Sequence, residues 1–276
     1  MSVENENDTR SARTSARISA RMSARIRESV RGRRRQAIAA ATVVALVCAG
    51  LIGLHLTGLP GQGGATDGKP ASARQVDDSM SHQAEADGKA VNLTLDDGPD
   101  PTWTPKALEL LKRYDAKAVF CMIGPNAAAH PDLVKQVVAA GHRLCDHSVH
   151  HDVTMDDKPV SYQRAEIEQA EQSIEAASGG VRPRYYRAPG GAFTPESRKF
   201  AASLGMRPLG WRIDPGDFER PGVDKIVQNV EAGVRAGHQT ILMHDGGGDR
   251  SQTLAALERL LPWLKEQGYT FSFPKA

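Results

Sequence analysis

The sequence predicts an α/β protein whose parallel strands carry helices on their outer side. Two observations predict it. Over residues 89–276, strand-like apolar or alternating runs take turns with amphipathic runs of helical period, seven strands with six helices between them. Ionisable residues also gather just after five of those strand runs, at what would be one end of a parallel sheet. A closed barrel and an open doubly wound sheet both fit this alternation. In either, chemistry belongs at the C-terminal ends of the strands.

The chain opens on a basic tail. Residues 1–36 hold ten Arg against four acidic residues, 37–88 hold two basic and five acidic, and 89–276 hold 23 basic and 24 acidic. The large C-terminal part is near neutral and carries no nucleic-acid signature. A composition of 40% hydrophobic and 25% charged residues excludes collagen-like, wholly disordered and multi-span membrane classes. Arg13, Arg17, Arg21 and Arg25 recur every four residues. On a helix they would form one stripe facing anionic headgroups; otherwise they belong to a solvated, disordered tail.

From Gln36 to Thr66 there is no charged residue, and 37–56 is apolar except for Thr42 and His55. As a helix, that run would span about 30 Å, the hydrocarbon thickness of a bilayer. Arg31, Arg33, Arg34 and Arg35 precede it, which places the tail in the cytoplasm and the remainder outside. The run is long for a cleavable signal, and its only Ala-x-Ala site, Ala71-Ser72-Ala73, lies well beyond its end. An uncleaved signal anchor is therefore favoured over secretion after cleavage, over a twin-arginine signal and over a buried core helix. The reading is an Arg-rich cytoplasmic tail at 1–36, a transmembrane anchor at 37–56, a flexible linker at 57–88 and a folded extracellular domain at 89–276. The linker follows from its Gly, Ser, Ala and Gln content and its lack of apolar periodicity.

Within the domain, Val91–Leu95 alternates as a strand does. Thr104 then Pro105 reads as an N-cap and first helical residue, leading into 107–114. The apolar run 118–123 is a buried strand, 130–140 a helix stopped by Gly141, and 142–146 a strand. The charged amphipathic run 161–177 is a helix ended by Gly179-Gly180. There follow a strand at 185–187, a helix at 195–204, a strand at 207–213 and a helix at 223–234. A strand at 240–244, a helix at 251–267 and a strand at 269–273 complete the series. Cys121 and Cys145 fall in adjacent strands. Outside the membrane a disulfide is permitted there, the alternative being two buried thiols.

The strand ends carry the candidate chemistry. Asp97, His147 and His151 form a two-histidine, one-carboxylate set that suits Zn²⁺ or another divalent transition metal and leaves a coordination position for water. Taken singly, Asp-Asp-Gly-Pro is a turn and two loop histidines are solvated; together at neighbouring strand ends they point to metal. His150 points elsewhere if His147 and His151 converge. Asp96, beside Asp97, is free to act as general base toward a water whose pKa a metal lowers to near 7. Arg187 can pair with that base, Gly190 can bring a backbone N–H to a developing oxyanion, and His244 is a candidate general acid.

Five segments then resemble a known family: Thr94–Pro99, His147–His151, Arg187–Gly191, Asp214–Phe218 and Leu242–His244. They look like the five ordered motifs of the polysaccharide deacetylases, carbohydrate esterase family 4, also called the NodB-homology domain. The resemblance runs from about Val91 to Phe273. It implies a distorted (β/α) barrel of about seven parallel strands and metal-dependent removal of acetyl groups from polysaccharides. By motif position it implies Asp96 as base, Asp97, His147 and His151 as ligands usually of zinc, and Ser148 bracing the ligand loop. It further implies Arg187 orienting Asp96, Asp217 tuning the acid His244, the Gly190 N–H at the oxyanion, and Leu242 in the acetyl-methyl pocket. Some positions depart from the pattern. Asp152 stands for a common proline, Gly190 for a frequent tyrosine, Phe218 for a frequent tryptophan (keeping an aromatic groove wall) and Leu95 for a common phenylalanine. None removes a reacting group.

The function expected is a membrane-anchored, metal-dependent hydrolase that removes N-acetyl groups from N-acetylglucosamine units of an extracellular polysaccharide, foremost peptidoglycan. The alternatives are a chitooligosaccharide deacetylase or an acetylxylan esterase. A non-catalytic wall-binding module would have lost one of the reacting residues. A phosphoesterase would call for a second metal and more bridging carboxylates.

Overall fold

The computed structural model describes residues 76–276. The Arg-rich tail, the apolar run at 37–56 and positions 57–75 of the expected linker lie outside the described residues. Among the described residues no helix is long and apolar enough to cross a membrane.

Among the described residues seven strands form one parallel sheet: β1 (Ala90–Asp96), β2 (Ala118–Met122), β3 (Arg143–Asp146), β4 (Tyr185–Tyr186), β5 (Arg207–Pro208), β6 (Thr240–His244) and β7 (Thr270–Phe271). The order is β5-β4-β3-β2-β1-β6, and β7 pairs with the start of β1. No regular ladder joins β5 to β6. Instead, Ile213 bridges Ile241, with Leu242 N–H donating to the Ile213 carbonyl at 2.9 Å. The expected distorted barrel is therefore a curled sheet whose ends meet through one bridge. Among the described residues seven α-helices cover it: α1 (Thr104–Arg113), α2 (Gly124–Ala129), α3 (Pro131–Ala139), α4 (Val160–Ser178), α5 (Pro195–Ser203), α6 (Val223–Arg235) and α7 (Ser251–Glu266).

The alternation read in β1 is real, but both its faces are buried. Val91, Leu93 and Leu95 join Phe120, Met122, Met243 and helix residues such as Val230 and Leu257 in the main core. The intervening Asn92, Thr94 and Asp96 point the other way, into the barrel. There Asn92 Nδ2 donates to Thr240 Oγ1 at 3.0 Å and Thr94 Oγ1 to the Ile241 carbonyl at 2.7 Å. A separate small cluster of Val119, Cys121, Cys145, Tyr185 and Leu209 fills that interior. Cys121 and Cys145 are register partners of β2 and β3, and they form a disulfide with Cα atoms 4.1 Å apart.

Four expectations change. First, residues 76–88 are packed on the domain rather than part of a flexible linker. Ser81 bridges Leu209, Ala84 bridges Pro274, and both are 3% exposed. Main-chain hydrogen bonds hold this segment and need no apolar period, which is why composition hid it. Second, the strand expected at 207–213 pairs regularly only at 207–208, because Gly210 N–H turns to the Ser81 carbonyl at 3.0 Å. Third, the sequence pattern does not announce helix α2, six residues long and opening on Gly124-Pro125. Fourth, Thr104 does not cap α1. Asp100 Oδ1 accepts the Thr102 and Trp103 N–H groups at that end, while the Thr104 hydroxyl bonds elsewhere. The stop at Gly179 is as read, in the left-handed region at φ 81°.

Candidate functional site

Parallel register brings the strand ends level. Asp96 pairs with both Cys121 and His244, and Met122 pairs with Asp146, so the residues that follow these strands emerge around one mouth. A cleft of ≈ 450 Å³ opens there. Nine of the eleven residues singled out from the sequence line it: Asp96, Asp97, His147, His151, Arg187, Gly190, Phe218, Leu242 and His244. The other two, Ser148 and Asp217, are fully buried, and Asp217 lies behind His244.

Asp97, His147 and His151 bring one ligand atom each within 4.8 Å of one another, the one such group of three among the described residues. Asp97 Oδ1 lies 3.1 Å from His151 Nε2 and 3.5 Å from His147 Nε2. Neither approach is aligned as a hydrogen bond, and this buried oxygen is left without a donor. His147 Nδ1 donates to the Arg187 carbonyl at 2.7 Å, which turns the Nε2 lone pair toward Asp97. Two imidazole nitrogens and a buried carboxylate oxygen without a hydrogen-bond partner, converging on one point, fit a divalent transition metal. Burial alone would raise the Asp97 carboxyl, but His151 and His147 beside it outweigh that and hold it down to about 2. Burial pushes His147 below its ordinary range. Burial works the same way on His151, but the neighbouring Asp97 and Asp96 carry it above.

Two of the three ligand candidates sit in the left-handed region, Asp97 at φ 72° and His151 at φ 50°. Such conformations persist only where the surroundings over-determine them. Here the loop after β6 presses on Asp97. A Cβ at Gly246 would overlap the Asp97 carbonyl, and one at Gly247 would lie 2.5 Å from Asp97 Oδ2. Ser148 braces its loop through the main chain, its N–H donating to Asp146 Oδ1 at 2.7 Å; its buried hydroxyl has no partner.

Arg187, fully buried, crosses the barrel interior. Its Nη1 donates to Asp96 Oδ1 at 2.6 Å and to Thr94 Oγ1 at 2.8 Å. That leaves Asp96 Oδ2 facing the cluster, 3.6 Å from His147 Nε2. Across the cleft, His244 Nδ1 bonds Asp217 Oδ1 at 2.8 Å. Asp217 Oδ2 accepts from the His244 N–H at 3.0 Å and from Thr253 Oγ1 at 2.7 Å. Burial disfavours the charged form of His244, but Asp217, then Asp96 and Asp97, lift it above its ordinary value. Nδ1 is thus engaged by Asp217, which leaves Nε2 as the ring nitrogen that can carry the second proton.

Several cleft residues escaped the sequence reading. Val153 and Trp211 line it. Val153 occupies the space beside Gly190, where an added Cβ would come within 3.1 Å of its own Cβ. Val153 at 48% and Phe218 at 45% are two of the four exposed large hydrophobic residues among those described, and both border this cleft. The position of Trp211, three before the strand-end Asp214, was the available signal. Arg250 holds the β6–α7 loop, its Nε donating to the Gly246 carbonyl at 2.6 Å. Asp245, 1% exposed, accepts the Thr104 hydroxyl at 2.6 Å, and burial pushes its carboxyl up to about 7.

The family model described as polysaccharide deacetylase matches residues 83–209. A peptidoglycan-N-acetylglucosamine deacetylase of Bacillus cereus is 40% identical over 185 residues, covering 66% of this chain and 85% of that protein. A chitooligosaccharide deacetylase of Bradyrhizobium sp. is 36% identical over 192 residues, covering 66% and 87%. Among solved structures, a family 4 carbohydrate esterase from Streptomyces lividans in complex with acetate superposes with a TM-score of 0.60 at 33% identity, over 67% of this chain and 92% of that one.

Proposed function

The chain belongs to the polysaccharide deacetylase family, carbohydrate esterase family 4, and from that premise we propose that it hydrolyses N-acetyl groups of N-acetylglucosamine units in peptidoglycan, using a divalent metal, foremost zinc. One observation carries the metal part: the orphaned Asp97 Oδ1 beside the Nε2 atoms of His147 and His151. When bound there, the cation would polarise the acetyl carbonyl and acidify a water. Asp96, its Oδ1 held by Arg187, would take that water's proton at Oδ2. His244, its charged form favoured by Asp217, would give its Nε2 proton to the departing amine. The Gly190 N–H would stabilise the oxyanion, Leu242 would face the acetyl methyl, and Phe218 would flank the sugar.

The peptidoglycan assignment is supported by the similarity to the Bacillus cereus protein. The Bradyrhizobium relative favours chitin-type oligomers as a second reading. The proposed placement, anchored at the cell membrane with the domain outside, is supported by the charge-free run at 37–56 and the Arg cluster before it. Acetate release is to be compared on peptidoglycan, chitin oligomers and acetylxylan, with and without zinc. Zinc-dependent release greatest on peptidoglycan is expected. An Asp96→Asn variant should bind zinc as the wild type does and lose turnover by at least a hundredfold. Full turnover in that variant would remove Asp96 as the base.

A further inference from the structure

Three hydrogen bonds converge on one buried carboxyl group to which the reaction above gives no part. Glu166 lies on the buried face of α4 and is 3% exposed. Its Oε2 accepts the main-chain N–H groups of Val149 at 3.1 Å and His150 at 2.8 Å. Its Oε1 bonds His150 Nδ1 at 2.6 Å. All three donors belong to the short segment bounded by His147 and His151. Ser148 at φ 66° and His151 at φ 50° put two non-glycine residues of that segment in the left-handed region. The free Ser148 hydroxyl contributes nothing to holding it there. The His150 ring, on a side chain 71% exposed, turns to Glu166 and stays out of the cleft.

We propose that Glu166 is a positioning residue for the metal centre: it clasps the 148–150 main chain so that the Nε2 atoms of His147 and His151 converge on Asp97. This rests on the metal reading above. Without the carboxyl group, two N–H groups lose their acceptor and the strained turn loses its tether, so the ligand set is no longer pre-organised. Glu171 supplies a matched comparison on the same helix. It is 5% exposed, but its carboxyl bonds Arg182, with Nη2 to Oε1 at 2.6 Å, and makes no hydrogen bond to the ligand loop.

The test is zinc titration of the full chain against a chromogenic chelator, with melting temperatures recorded for each variant. Glu166→Leu should bind zinc at least tenfold more weakly than wild type. Glu166→Gln, which keeps one acceptor oxygen, should fall between the two. Glu171→Leu should lower the melting temperature yet bind zinc as wild type does. The visible spectrum of the cobalt(II)-loaded protein should change in Glu166→Leu and not in Glu171→Leu. Equal zinc affinity in wild type and both Glu166 variants would overturn the proposal, as would an equal loss in Glu171→Leu. If Glu166→Leu does not fold, the glutamine variant decides alone: at least threefold weaker binding supports the clasp, and unchanged binding overturns it. A wild-type chain that binds no zinc would instead overturn the metal reading, and the clasp with it.

Discussion

Arg187 and Asp96 stand 91 residues apart in sequence and 2.6 Å apart in the barrel interior, both almost wholly withdrawn from solvent. A buried pair of this kind contributes little net stability while intact, but removing one partner leaves an uncompensated charge. Arg187→Met should therefore destabilise the domain by about 3 kcal/mol. The double variant Asp96→Asn/Arg187→Met should recover part of that loss. Chemical denaturation of the four proteins checks it, and additive losses would show that the pair does not act as a unit.

Asp217 bonds His244 Nδ1 at 2.8 Å and favours its charged form. Because its carboxylate favours the imidazolium, Asp217→Asn should lower the pKa of His244. The acid form then disappears at lower pH, so the alkaline limb of the pH–rate profile should move down. A limb at the wild-type position would take His244 out of the acid role.

Asp245 predicts a pH effect on stability separate from turnover. Its carboxyl is raised to about 7 in the fold, so the folded protein holds a proton that the unfolded chain has released. That contribution is complete below the unfolded value and is lost as the pH rises through about 7. Asp245→Asn should therefore gain on wild type, on the order of a few kcal/mol, between pH 4 and pH 8. Urea melts at the two ends check this, and a constant gap would contradict it.

Val153 fills the cleft wall beside Gly190, where the sequence left only a hydrogen. Trimming it to alanine removes apolar contact surface of the order of two methyl groups. KM for a chitin oligomer should rise about threefold to tenfold while kcat stays close to wild type. Steady-state kinetics on an oligomer and on a small aryl acetate distinguish the outcomes. A change confined to kcat would place Val153 in the chemistry instead of the wall.

Much of the architecture was readable because its causes are local. Alternating apolar runs, helix stops such as Gly179 and acidic or imidazole residues just past a strand all follow from the identity of neighbours in sequence. The set Asp97, His147 and His151 was legible for that reason, and so was the exclusion of His150, whose ring bonds Glu166. The distorted barrel itself entered through the family resemblance, since alternation alone fits an open sheet equally well.

What the sequence determined on its own is the parallel alternation of strands and helices and the row of ionisable side chains after the strands. Their spacing follows from periods of two and 3.6 residues. Only the folded chain decided that Arg187 meets Asp96, that residues 76–88 close on the sheet, that Val153 packs beside Gly190 in the cleft and that Glu166 bonds the 149–150 main chain. These contacts join segments 16 to 190 positions apart. They depend on register, curvature and the path of loops around the barrel, and no local pattern of residue types encodes those quantities.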